Sequence, residues 1–147
     1  MNSGAYSYYS HSEGSITRAE GQGAHSEGGR TYAKADYTHS EGYGTEALKD
    51  YSHAEGHYTI ANAIGAHTEG YETTASALAT YAHSEGYQTT VHGEAAHVEG
   101  KYTIANGNYS HAEGIGGTYS DGTNDITSQA YGTADHTEGY ETRTNSG

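Results

Sequence analysis

Small and large side chains alternate along this chain with a period of two, inside a longer period of fourteen. The tetrad His-x-Glu-Gly begins at His11, His25, His39, His53, His67, His83, His97, His111 and His136, at intervals of 14, 14, 14, 14, 16, 14, 14 and 25 residues. When blocks are written to end on the tetrad's glycine, position three is usually Thr (Thr17, Thr31, Thr45, Thr59, Thr73, Thr89, Thr103). Position five is usually Ala (Ala5, Ala19, Ala33, Ala47, Ala61, Ala75, Ala105, Ala130), with Val91 as the exception. Positions ten and twelve are Ser, Ala or Thr, apart from Asp135 and Val98. Constancy at three and five, and again from ten to thirteen, predicts two short strands per block with turns near positions seven and fourteen. Glycine ends every tetrad and recurs at position seven as Gly21, Gly93, Gly107 and Gly132, where a tight corner favours it. The absence of proline leaves every strand residue able to donate to a neighbouring coil.

The prediction is therefore an all-β parallel β-roll or solenoid, one repetitive domain over residues 1–147, with nine coils and a partial tenth. Stacked at about 4.8 Å, nine coils make a rod of roughly 43 Å. Two blocks are longer than the template, which predicts outward loops near 77–82 and 115–125, the template resuming at Ile126 to Gly139. Neither end carries a capping element, so the chain is expected to be a segment of something longer or to stack on another copy.

Inward and outward faces are assigned from variability. Position four reads Gly4, Arg18, Tyr32, Glu46, Ile60, Thr74, Thr90, Ile104, Gln129 and so meets solvent. The inward side chains of that strand are then Thr17 and Ala19, Thr31 and Ala33, Thr45 and Ala47, Thr59 and Ala61, Thr73 and Ala75, Thr103 and Ala105. On the tetrad strand the choice lies between the His/Glu pair and the small residues on either side of it. Two sheets packed about 10 Å apart would be underfilled by small residues on both sides. The expectation is thus an inward structural ladder of His with Glu13, Glu27, Glu41, Glu55, Glu69, Glu85, Glu99, Glu113 and Glu138, satisfied by mutual hydrogen bonding. The small residues would form a flat outer face for contact with another chain.

Composition narrows the function. Eleven large aliphatic residues are too few for the core of an ordinary domain of this length, so a conventional enzyme fold is not expected. Six basic against nineteen acidic residues leave a charge of −13 and no basic stripe for nucleic acid. No apolar run is long enough for a membrane helix, and no signal peptide is recognisable at the N-terminus. Without cysteine, disulfides and thiolate chemistry are excluded.

Ser-His-Ala-Glu-Gly, as in Ser52 to Gly56 and Ser110 to Gly114, resembles the Ser-Val-Ala-Ile-Gly repeat of trimeric autotransporter adhesin heads. It is still more similar to the Ser-His-Ala-Glu-Gly repeats of phage tail-fibre and other virion-associated proteins. The resemblance implies a left-handed roll, three chains side by side about a threefold axis, and surface attachment, in a virion-associated or extracellular location. It places His53 and Glu55 where the adhesins have inward Val and Ile, and Ser52 and Ala54 at subunit contacts.

The chemistry-bearing residues are weighed against that frame. Catalysis needs one constellation with differently tuned partners, whereas nine equivalent His/Glu pairs are the opposite arrangement, so the chain is read as non-catalytic and without a cofactor. A metal needs three or four ligands, which neighbouring coils or chains would have to supply; the hydrogen-bonded ladder is the preferred reading. The Thr column faces inward and does not present an ice-binding array. The stretch Gly116 to Asp125 is oxygen-rich but lacks EF-hand spacing and is read as a surface loop. Tyr at position nine (Tyr9, Tyr37, Tyr51, Tyr81, Tyr109) and at position one (Tyr43, Tyr71, Tyr87, Tyr140) is read as an interface or corner shield before a glycan-stacking surface. The expected function is a structural or adhesive rod segment of a phage tail fibre or surface adhesin; the alternative is a filament subunit stacking end to end. Its expected partners are its own copies, as homotrimer or filament, and a host-surface receptor or glycan.

Overall fold

The computed structural model describes residues 3–116 and 128–144. They form an all-β parallel solenoid of about nine turns and about fourteen residues per turn, with no helix among the described residues. Tetrad segments supply one sheet of nine strands: His11–Ser15, His25–Gly29, His39–Tyr43, His53–His57, His67–Tyr71, His83–Tyr87, His97–Val98, His111–Ala112 and His136–Thr137. Thr–Ala segments supply a second sheet of ten strands of two or three residues, from Gly4–Ala5 and Arg18–Ala19 to Ser128–Ala130 and Arg143–Thr144. Every neighbour in both sheets is parallel and comes from the adjacent coil, so equivalent residues pair: His11 with His25, Glu27 with Glu41, Ala33 with Ala47. The unequal blocks obey the same register, since His67 pairs with His83 and His111 with His136.

Four columns of small side chains fill the interior. From the ten-stranded sheet come Thr17, Thr31, Thr45, Thr59, Thr73 and Thr103 with Ala19, Ala33, Ala47, Ala61, Ala75 and Ala105, all buried. Their counterparts from the tetrad side are position twelve (Ser26, Ser40, Ala54, Thr68, Ser84, Val98, Ala112) and position ten (Ala24, Thr38, Ser52, Ala66, Ala82, Ala96), also buried. Hydroxyls from the two sides meet directly: Ser26 Oγ lies 2.7 Å from Thr31 Oγ1, Ser40 Oγ 2.8 Å from Thr45 Oγ1, and Ser84 Oγ 2.9 Å from Thr89 Oγ1. Such contacts satisfy polar atoms that would otherwise be costly to bury. Where Ala54 replaces Ser, Thr59 Oγ1 has no partner.

This arrangement reverses the expected direction of the tetrad strand. His and Glu at His11 and Glu13, His25 and Glu27, His39 and Glu41, His53 and Glu55, His67 and Glu69, His83 and Glu85, His97 and Glu99, and His111 and Glu113 stand on the outer face, half-buried or exposed, as do His136 and Glu138. The physical reason is the size of the coil. Fourteen residues, spent on two strands and their corners, cannot hold sheets 10 Å apart; one small side chain from each side spans the gap, as the hydroxyl contacts require. Ser52 and Ala54, expected at a subunit contact, are instead core residues.

The corners also differ from expectation. Left-handed backbone falls at positions two and nine, largely on Tyr: Tyr9, Tyr37, Tyr51, Tyr81 and Tyr109 have φ of 56–62°. The tetrad glycines matter for another reason. At Gly56, φ is 102° and an added Cβ would fall on the carbonyl oxygen of Gly70 in the next coil, so only glycine allows the close approach. In the sixteen-residue block the two extra residues are accommodated at Ala77 and Leu78, and Leu78 is 81 % exposed. The second insertion begins later than expected: Ile115 stays in the ladder between Lys101 and Tyr140, and Ser128 resumes position three opposite Thr103. The rest of the 115–125 loop expectation, from 117 onward, lies outside the described residues.

Candidate functional site

Period-two alternation on the tetrad strand puts position twelve inside and His, Glu and the residue after the glycine outside. The outer face of the nine-stranded sheet is consequently three parallel columns. In the first, imidazoles stack: His25 on His39, His39 on His53, His53 on His67 and His67 on His83 all have ring centroids 4.7 Å apart with planes 2–8° from parallel. The stack continues through His97, His111 and His136 at 4.8–4.9 Å.

Beside it runs the carboxylate column. In the first coils each imidazole faces its own coil's Glu, as His39 Nε2 does at 3.4 Å from Glu41. From His67 onward the nearer carboxylate belongs to the preceding coil, as in His83 with Glu69 at 3.8 Å and His111 with Glu99 at 3.5 Å. Glu55 marks the crossover, with His53 at 3.8 Å and His67 at 3.9 Å. These are distances of charge attraction. The Nε2 atoms of His25, His39, His53, His67, His83, His97 and His111 are withdrawn from solvent and make no hydrogen bond.

Stacking like charges at one strand spacing is unfavourable, and the columns relieve it by titration. Hydrogen bonding to Glu69, with burial and Glu41 adding to it, pushes Glu55 up to about 7, and hydrogen bonding to Glu69 does the same for Glu85. Their neighbours Glu41, Glu69 and Glu99 accept those bonds and are held below the usual carboxylate value. Protons are thus shared along the column at alternate coils. Burial, followed by the adjacent imidazoles, lowers His53 and His97, and burial with His67 lowers His83. In the central coils, burial thus disfavours the charged form of His53, His83 and His97 beside carboxylates that share protons. A shallow groove of about 410 Å³ follows the Glu column over five coils, floored by Gly56, Gly70, Gly86 and Gly100.

The third column was only partly legible. Position one carries tyrosine in several blocks, and the structure stacks His57, at the same position, between Tyr43 at 5.4 Å and Tyr71 at 5.0 Å, with Tyr87 following at 4.9 Å. Cations close both ends, Arg30 lying 5.9 Å from the centre of the Tyr43 ring and Lys101 5.3 Å from that of Tyr87. Aligning the blocks by position one alone would have found this run. The corner tyrosines Tyr37 and Tyr51 stack at 5.6 Å and are exposed. No protein-family model, no curated protein and no solved structure matches this chain.

Proposed function

We propose that the chain is a structural and adhesive rod segment, of the kind that builds a phage tail fibre or a surface adhesin, acting outside the cell or on a virion. The observation that carries this reading is the register: equivalent residues lie over one another in every coil, across both longer blocks, so that each outer face is a straight set of columns. Such a body transmits length and presents repeated groups; it does not gather different groups around one reacting atom. The left-handed turn and the side-by-side homotrimer belong to the same proposal through the resemblance of the Ser-His-Ala-Glu-Gly repeat to adhesin heads. Because the small tetrad residues are core, copies would meet through an outer sheet face, and the aromatic column of Tyr43, His57, Tyr71 and Tyr87 offers a surface for a sugar ring of a receptor.

Light scattering on a sizing column tests the assembly. A mass near three times 15.5 kDa is expected, and a monomer at micromolar concentration would overturn the trimer. A filament stacked end to end is the second reading, favoured by the constant parallel register, which would serve equally between one copy and the next. Long uniform fibres in electron micrographs would replace the trimer with the filament.

A further inference from the structure

One arrangement recurs over five successive coils of the tetrad face, from Glu27 to Glu99: an imidazole flanked by two carboxylates, all three ligand atoms within 4.8 Å of one another. Glu41, His53 and Glu55 form one triad, Glu55, His67 and Glu69 the next, so each carboxylate is shared by successive triads. Within them the distance from His Nε2 to the nearer carboxylate is 3.4–3.9 Å. That is too long for an N–H···O bond, which closes at about 2.7–3.2 Å. Tetrahedral ligands at about 2.0–2.2 Å from zinc stand about 3.3–3.6 Å apart, so the three ligand atoms of a triad need only side-chain adjustments of about 1.5 Å or less to share one ion. A second observation points the same way. The Nε2 atoms of the inner triads are shut off from water and have no hydrogen-bond partner, a state that is costly unless something else occupies the lone pair.

We infer that the tetrad face binds a row of divalent transition-metal ions of the zinc class, each held by one imidazole and the carboxylates of two adjacent coils, with water completing the shell. The nitrogen ligand favours zinc and its neighbours over magnesium or calcium, which select all-oxygen sites. Metal ligands must be deprotonated, so binding weakens as pH falls. Charge sets the occupancy. Two carboxylates balance one dication, but since carboxylates are shared, ions in neighbouring triads would lie one strand spacing apart with a single carboxylate each. Filling every second triad is neutral, so the five triads take at most three ions. The inference concerns single chains and does not depend on the rod or trimer reading.

The test uses the full chain without an affinity tag, stripped with chelator and titrated with zinc chloride in a calorimeter, with bound zinc counted after buffer exchange. About three ions per chain are expected at pH 7.5, most of them lost at pH 5, with millimolar magnesium failing to displace them. The triple variant Glu55→Gln, Glu69→Gln, Glu85→Gln touches four triads and is expected to lose at least half of the zinc. Retention of less than one ion by the native chain, or equal retention by a folded triple variant, overturns the inference. On the native chain, zinc is expected to shift the ring-proton resonances of the ladder histidines, and unmoved resonances at saturating zinc overturn it irrespective of how the variant folds.

Discussion

The two sheets share one interior and one register, yet their outer faces have opposite characters. On the nine-stranded sheet, His follows His and Glu follows Glu from coil to coil. On the ten-stranded sheet the outward position runs Arg18, Tyr32, Glu46, Ile60, Thr74, Thr90, Ile104, with local contacts such as the Arg18–Glu20 ion pair and no repeated column. The varied face shows that parallel stacking accepts almost any outward side chain. Constant His and Glu are therefore not what the backbone ladder requires, and a column of like carboxylates works against it. The energetics of folding lie in the interior and the glycines; the uniform face is available for binding or assembly.

The sharpest way to break this division is at the tetrad glycines. Gly56→Ala places a Cβ against the Gly70 carbonyl in a backbone conformation that disfavours it, and is expected to cost about 3 kcal/mol or more in chemical denaturation. Next comes the narrow interior: Ala61→Leu overfills a fully buried position and is expected to cost about 1–3 kcal/mol by the same measurement. Ser26→Ala leaves Thr31 Oγ1 without its partner and is expected to cost about 1–2 kcal/mol, whereas Ala54→Ser supplies one to Thr59 and should gain about 0.5–1 kcal/mol. A result in which both serine changes act alike would show that the hydroxyl pairs contribute nothing.

The uniform face responds to pH instead. His53, His83 and His97 are lowered below 6.5, so the unfolded chain takes up protons first as pH falls through that value, and stability declines on the acid side. Glu55 and Glu85, raised from 4.5 to about 7, act oppositely: their contribution is fully present below pH 4.5 and is lost as pH rises toward 7. Glu55→Gln with Glu85→Gln is expected to remove that loss, steepening the net rise of melting temperature with pH between 5 and 7. An unchanged slope would remove proton sharing from the account. The smallest effect belongs to the varied face, where Thr90→Gln should change stability by less than about 0.5 kcal/mol.

Much of this was legible in residue order. A fourteen-residue repeat with period-two halves specifies two strands per coil, and the varied position four marked its own outward face and the inward Thr and Ala beside it. Direction on the tetrad strand was not legible. Period two fixes which residues share a face without saying which face is inside, and the usual spacing of sheet sandwiches pointed the wrong way for so short a coil. The size of positions ten and twelve held the better signal: they are as small as positions three and five because all four share one narrow interior. The start of the second insertion was equally hidden, since Ile115 and Ile126 both fit position one and only pairing with Lys101 and Tyr140 distinguishes them. Left-handed corners at Tyr37 and Tyr51 were masked because that conformation is ordinarily sought at glycine or asparagine.

Register that is identical at every step makes length an inherited count. Duplicating or deleting one fourteen-residue block in a gene would lengthen or shorten the body by one strand spacing, about 4.8 Å, and leave every column in line. Slippage during replication, ruinous in most coding sequences, is here a graded adjustment of reach, and the sixteen-residue block shows that extra residues can be lodged at a corner without disturbing the count.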